Sequence, residues 1–118
     1  MFPLRNRLPS SDIRNVLRSN SRTSNAMLQI VYMKNGLLAS RFAVIVGSRV
    51  EKRATARNRI KRLVRESVRH LLPRLAKGWD CVLVARKNLN DQKQPEVEKV
   101  VVNLFKTASL LITNYSSL

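Results

Sequence analysis

A chain of 118 residues has the length of one ordinary domain, and with 44% apolar residues it can bury a core without disulfides or a structural metal. Its 23 lysines and arginines against 7 acidic residues leave a net charge of +16, which repels itself unless a polyanion is nearby, so nucleic acid is the first partner to consider. The single cysteine excludes an internal disulfide and a cysteine cluster for zinc, and no apolar run approaches the roughly 20 residues that span a bilayer.

Residues 1–9 contain Pro3, Arg5, Arg7 and Pro9 and read as a basic, flexible leader without regular structure. No apolar segment follows these charges, so the expectation is a cytoplasmic protein without a secretory signal. Ser10 or Ser11 can cap a short helix with Asp12 in its first turn and Ile13, Val16 and Leu17 on one side. The polar run from Arg18 to Asn25 has no periodicity and is expected to be an exposed loop.

Residues 27–33 alternate as a strand does, with Leu28, Ile30 and Tyr32 on one face. Lys34-Asn35-Gly36 is then a tight turn, because Asn-Gly readily takes positive φ, and a return strand follows over Phe42–Val46, apolar throughout and so covered on both faces. After the connector 47–53 a helix runs to about Leu72, closed by Pro73. A third strand over Cys81–Ala85 buries the thiol, and 88–94 is a loop. Pro95 opens a final helix whose stripe comprises Val97, Val100, Val101, Leu104, Phe105, Ala108, Leu111 and Ile112. The predicted order is α-β-β-α-β-α: an α+β fold with a small sheet of three to four strands, two long helices on one face, and residues 113–118 as a frayed tail.

The middle helix carries the charge as well as the fold. Ile60, Leu63, Val64, Val68, Leu71 and Leu72 recur at spacings of three and four and make one apolar side. Asn58, Arg59, Lys61, Arg62, Arg65, Glu66 and Arg69 fall on the opposite arc, five cations against one anion. A merely solvated helix interleaves the two signs, since like charges four residues apart destabilise by a few tenths of a kcal/mol, on the order of the gain from opposite pairs. The preference for Arg suits phosphate, which guanidinium grips through two parallel hydrogen bonds. A membrane surface fits less well, because the apolar side of this helix has no Trp or Phe to anchor it.

Side-chain chemistry for catalysis is sparse. His70 is the only histidine and lies at the edge of the polar arc with nothing nearby in sequence to orient it, which makes it a boundary residue rather than a general base. The seven carboxylates form no metal-gathering motif, and glycines at 36, 47 and 78 build no phosphate loop.

The run Arg57-Asn58-Arg59-Ile60-Lys61-Arg62-Leu63-Val64-Arg65-Glu66 resembles the RNRxxKR signature of the protein subunit of bacterial ribonuclease P. Upstream, the strand entering Gly47-Ser48-Arg49-Val50 and the basic Lys52-Arg53-Ala54 resemble that family's strand and connector. Downstream, Trp79-Asp80-Cys81-Val82-Leu83-Val84-Ala85-Arg86 resembles its Asp-led strand ending in Arg. The resemblance implies an α/β sandwich with a left-handed βαβ crossover. It also implies that cleavage is carried out by a partner RNA with Mg²⁺, which removes the 5′ leader of precursor tRNA. No small-molecule cofactor is expected. Carried over residue by residue, it gives Lys52, Arg53, Arg57, Asn58, Arg59, Lys61, Arg62, Arg65 and Arg69 as RNA-binding positions. It also implies a leader-binding cleft between the first helix and the sheet, represented here by Ile13, Leu17, Tyr32 and Arg49. Tyr32 reads equally as a stacking surface or as an aromatic at the edge of the core.

Two other readings use the same residues. A small ribosomal or general RNA-binding protein would share the composition but not the order of strand, connector and signature. A helix-turn-helix DNA-binding protein would need a helix where residues 42–46 read as a strand.

Overall fold

A computed structural model describes residues 2–112. The order is α1 (Ser10–Leu17), β1 (Arg22–Ser24), β2 (Leu28–Lys34), β3 (Arg41–Ile45), α2 (Ala54–Leu71), β4 (Trp79–Ala85) and α3 (Gln94–Thr107), an α+β fold. The four strands form one mixed sheet in the order β1-β2-β4-β3, with β2 antiparallel to β1 and β4 and with β3 parallel to β4.

Strand alternation decides what each face meets. Leu28 and Ile30, Phe42 and Val44, and Cys81, Leu83 and Ala85 point to one face, where Ile60, Val64 and Val68 of α2 and Val97, Val101, Leu104 and Phe105 of α3 complete the main core. The other face presents Val82 with Met33, Ala43, Ile45 and Val84 to Ile13, Val16 and Leu17 of α1. The expected pair of long helices on one face is therefore present, and β3 is covered on both sides. Three rings cross the main core in sequence: Phe2 lies 5.7 Å from Phe42, and Phe42 lies 6.1 Å from Phe105 in an edge-to-face contact.

Several expectations fail for identifiable reasons. The hairpin does not form, because β4 lies between β2 and β3. Gly36 has the positive φ of 72° that Asn-Gly promised. The side chain of Asn35, however, builds a longer connection that steps across the start of β4. Its Oδ1 accepts from Leu37 N at 2.7 Å, and its Nδ2 donates to Ala39 O at 3.1 Å and to Asp80 Oδ1 at 2.9 Å. The supposed loop at 18–25 contains β1, a short and mostly exposed edge strand whose polar residues show no alternation to read. The N-terminal segment is docked rather than flexible: Phe2 and Leu8 are buried, residues 4–6 form a 3-10 turn, and Leu8 N donates to Phe42 O. Its prolines and arginines obscured those two apolar anchors.

The last helix ends at Thr107, so Leu111 and Ile112 do not continue its stripe. Ser109 takes φ 61°, and the amides of Ser109 and Leu110 donate back to Lys106 O and Phe105 O, closing the helix in a Schellman motif. Ser109→Gly should therefore stabilise the protein by about 0.5–1 kcal/mol in chemical denaturation, the left-handed penalty of a Cβ less the entropy of glycine. The tail at 113–118 and Met1 lie outside the described residues.

Two polar clusters fix the layers to one another. The Arg41 guanidinium grips buried Asp80 with two hydrogen bonds of 2.9 and 2.7 Å and reaches Asp12 of α1 at 3.4 Å. Between the long helices, Ser67 is fully buried: its hydroxyl donates to Leu63 O at 3.0 Å and accepts from Gln94 Nε2 at 2.7 Å. Leu63, expected on the apolar side, is only partly buried at the margin of the core.

Candidate nucleic-acid interface

The site begins at the connector before α2. Glu51 is buried at 6% exposure although its neighbours are basic. Its carboxylate accepts from Arg53 N at 2.8 Å, from Arg53 Nε at 3.1 Å and from Asn88 Nδ2 at 2.8 Å. These bonds, those to Arg53 first, hold its pKa down to about 2, against an ordinary 4.5. One acid thus ties the connector to the head of α2 and to the loop after β4. A depressed folded-state pKa means that this contribution is complete above about pH 4.5 and is lost as pH falls through about 2. Glu51→Gln should remove that part of the acid limb, read as a Tm-against-pH profile with less downward slope between those values.

The signature residues divide by what they touch. Arg57 Nη1 donates to the carbonyls of Glu51 at 3.1 Å and Lys52 at 2.7 Å, fastening the connector to the first turn. Arg59, expected on the exposed arc, turns the other way: its guanidinium donates to Asn90 O and Gln92 O and clamps the 86–93 loop against α2. Arg53 is ion-paired with Glu51 while its side chain remains 67% exposed. Arg69 is ion-paired with Glu66, whose pKa it lowers to about 2, chiefly by hydrogen bonding.

Asn58, Arg62, Arg65 and Arg69 succeed one another at spacings of four, three and four and make one stripe along α2, with Lys61 beside it. Among the described residues, Lys52, Asn58, Lys61, Arg62 and Arg65 make no side-chain hydrogen bond or ion pair. The cationic arc is real, but narrower than the sequence suggests: Arg57 and Arg59 serve the protein's own loops.

His70 sits between two acids, with Nε2 3.6 Å from Glu66 and Nδ1 3.2 Å from Glu98, and so links α2 to α3. Cys81 is buried and its thiol is pushed up by desolvation, which leaves it inert. Among the described residues, no three His, Cys, Asp or Glu side chains are placed to hold a metal ion. No helix there is long and apolar enough to cross a membrane.

The four expected cleft residues are not brought together. Ile13 and Leu17 face the second side of the sheet as expected. Tyr32, however, follows Leu28 and Ile30 onto the opposite face, where it meets Trp79 edge-to-face at 5.7 Å. Arg49 is exposed in the turn at 48–50. The sheet residues that do face α1 are Met33, Ala43, Ile45, Val82 and Val84, all aliphatic or thioether. Alternation within 42–46 and 81–85 separates Ala43, Ile45, Val82 and Val84 from Phe42, Val44, Cys81 and Leu83, whereas the aromatic character of Tyr32 carries no information on its face. Glu51 and Asn88 left no comparable signal, since their partnership spans 37 positions.

A protein-family model described as Ribonuclease P matches residues 2–109. The ribonuclease P protein component of Clostridium botulinum (strain Langeland / NCTC 10281 / Type F) is 35% identical over 102 residues, covering 86% of this chain and 91% of that protein. The corresponding component from Pseudomonas paraeruginosa (strain DSM 24068 / PA7) is 44% identical over 73 residues, 62% of this chain and 53% of that protein. Among solved structures, the RNase P protein from Thermotoga maritima superposes with a TM-score of 0.77 at 29% identity, covering 86% of this chain and 96% of that one. The Staphylococcus aureus RNase P protein shares the fold, with a TM-score of 0.79 at 18% identity over 90% of this chain and 97% of that one.

Proposed function

Because the chain belongs to the ribonuclease P protein family, we propose that its α2 arc docks on the RNA subunit of a ribonuclease P and that the assembled particle removes the 5′ leader of precursor tRNA. The observation that carries this reading is the row of Asn58, Lys61, Arg62 and Arg65, without side-chain partners among the described residues, beside a connector fixed by Glu51. Such a row binds phosphates without rearranging, because α2 and its connector are already rigid. Lys52 and Arg53 extend the row at the helix head, and Arg69 extends it at the other end while holding Glu66. Arg57 and Arg59 act through the loops they fix, so their loss weakens RNA binding indirectly.

Precursor tRNA is the proposed substrate, with its single-stranded leader in the groove between α1 and the sheet. The lining there offers apolar contact rather than ring stacking. Mg²⁺ is proposed to sit on RNA phosphates, since the described acids are committed to Arg partners or spread apart. A helix-turn-helix reading is not viable here, because β3 and the connector precede α2.

Cleavage of precursor tRNA at limiting Mg²⁺ by the protein alone, by its cognate RNA alone and by both together tests the proposal. Stimulation of the RNA by the protein, with no cutting by the protein alone, is the expected result. Robust cutting by the isolated protein, or no effect on the RNA, would overturn it.

A further inference from the structure

Beyond the stripe on α2, one pocket joins the proposed leader groove to the cationic arc. It has a volume of about 340 Å³ and is lined by Arg7 and Leu8 of the N-terminal segment, Ile13 of α1, Phe42 and Val44 of β3, and Arg65 of α2. Four separate parts of the chain thus converge on it, and the two charged residues on its wall are both guanidinium.

Neither cation is used up by the protein. Arg65 makes no side-chain hydrogen bond or ion pair among the described residues. Arg7 is exposed and, among the described residues, donates only through Nε, to Phe2 O at 3.1 Å, which leaves the terminal nitrogens of its fork. The strand between them is also open. β3 is the last strand of the sheet, and on its outer side Arg7 bridges to Phe42 alone, with Phe42 O accepting from Leu8 N. By strand alternation the backbone of Val44, which also lines the pocket, faces the same outer side and brings an edge amide to the site.

A polyanion threaded along the α1 groove meets this pocket as it leaves Ile13. The site offers two forks, an edge amide and an apolar floor, which suits a phosphodiester whose neighbouring sugar or base rests on aliphatic carbon. We propose that Arg7 and Arg65 together hold one phosphate of the single-stranded leader at the outer edge of β3, so that Arg65, within the row that docks on the RNA subunit, also reaches the substrate. This assignment rests on the leader-groove reading above. It also explains why the N-terminal segment is docked by Phe2 and Leu8: that docking sets Arg7 opposite α2.

The test uses the reconstituted protein–RNA particle and two precursor tRNAs, one with a leader of a single nucleotide and one whose leader is long enough to pass the pocket. The readout is the ratio of their affinities. Arg7→Ala and Arg65→Ala should each reduce the long-leader advantage about tenfold, the usual size for a charged hydrogen bond, and the double variant should reduce it no further. The salt slope of the long-leader affinity should fall by about 0.7, as for one single-strand phosphate. Arg65→Gln, which retains most of the side-chain stem, should behave like Arg65→Ala and guards against a folding defect. Unchanged ratios, or an Arg65 effect confined to assembly with the RNA subunit, would overturn the proposal while leaving the leader groove intact. A wild-type particle indifferent to leader length would overturn the groove reading and this assignment together.

Discussion

Replacing Lys61 and Arg62 together by alanine is expected to weaken binding to the RNA subunit by roughly 30- to 150-fold, about 2–3 kcal/mol, without lowering the melting temperature. Both side chains lie on the outward part of α2 and neither has a hydrogen-bond or ion-pair partner among the described residues, so their removal leaves no buried group unsatisfied there. Alanine also favours the helix and relieves repulsion among like charges, so stability should hold or rise slightly. Binding measured against salt should show a slope smaller by about 1.4–1.8, two phosphates' worth. The same change at Arg59 should behave differently: RNA binding falls together with protection of the 88–92 amides in hydrogen exchange, because Arg59 holds that loop.

The second large effect is on stability. Phe105→Ala should cost about 3–5 kcal/mol, a sizeable part of the roughly 5–15 kcal/mol that a domain of this size possesses, and should lower the melting temperature by roughly 10–20 °C. Phe105 is fully buried and stands edge-to-face against Phe42, which in turn stacks with Phe2. Its truncation leaves a cavity where α3, β3 and the N-terminal segment meet, and rigid strands on one side prevent collapse. The N-terminal segment should loosen first, seen as faster exchange at Leu8 N, whose bond to Phe42 O depends on that packing. Folded Phe105→Ala protein should still bind the RNA subunit, because the α2 arc lies on the other side of the helix.

These two predictions also mark what could be read from the residues in order. Helical periodicity exposed α2 and most of α3 because their apolar positions repeat locally, and the same wheel separated Ile60 and Val64 from Asn58 and Arg62. Sheet order could not be obtained that way. Asn-Gly correctly signalled a positive φ at Gly36, but whether the next strand pairs directly or leaves room for a later one is decided by contacts with residues 79–85, far along the chain. Alternation places Tyr32 with Leu28 and Ile30 but does not say which face α1 will cover, because no local rule decides that. Charge was legible in sum but not in use. Arg57, Arg59 and Arg62 look alike in sequence, and only the position of the 51–53 connector and the 88–92 loop separates two internal clamps from one outward cation.

The central claim is that the outward stripe of α2 is the surface an RNA subunit completes, and a tethered probe tests it most directly. Cys81 is the only cysteine and is buried, so a thiol introduced by Asn58→Cys can be labelled selectively with an iron chelate that cuts nearby RNA. In the assembled particle, cuts confined to a short region of the RNA subunit are expected from position 58, with none from the same probe carried by Lys106→Cys on the exposed side of α3. No cutting from position 58, or equal cutting from both positions, would contradict the account.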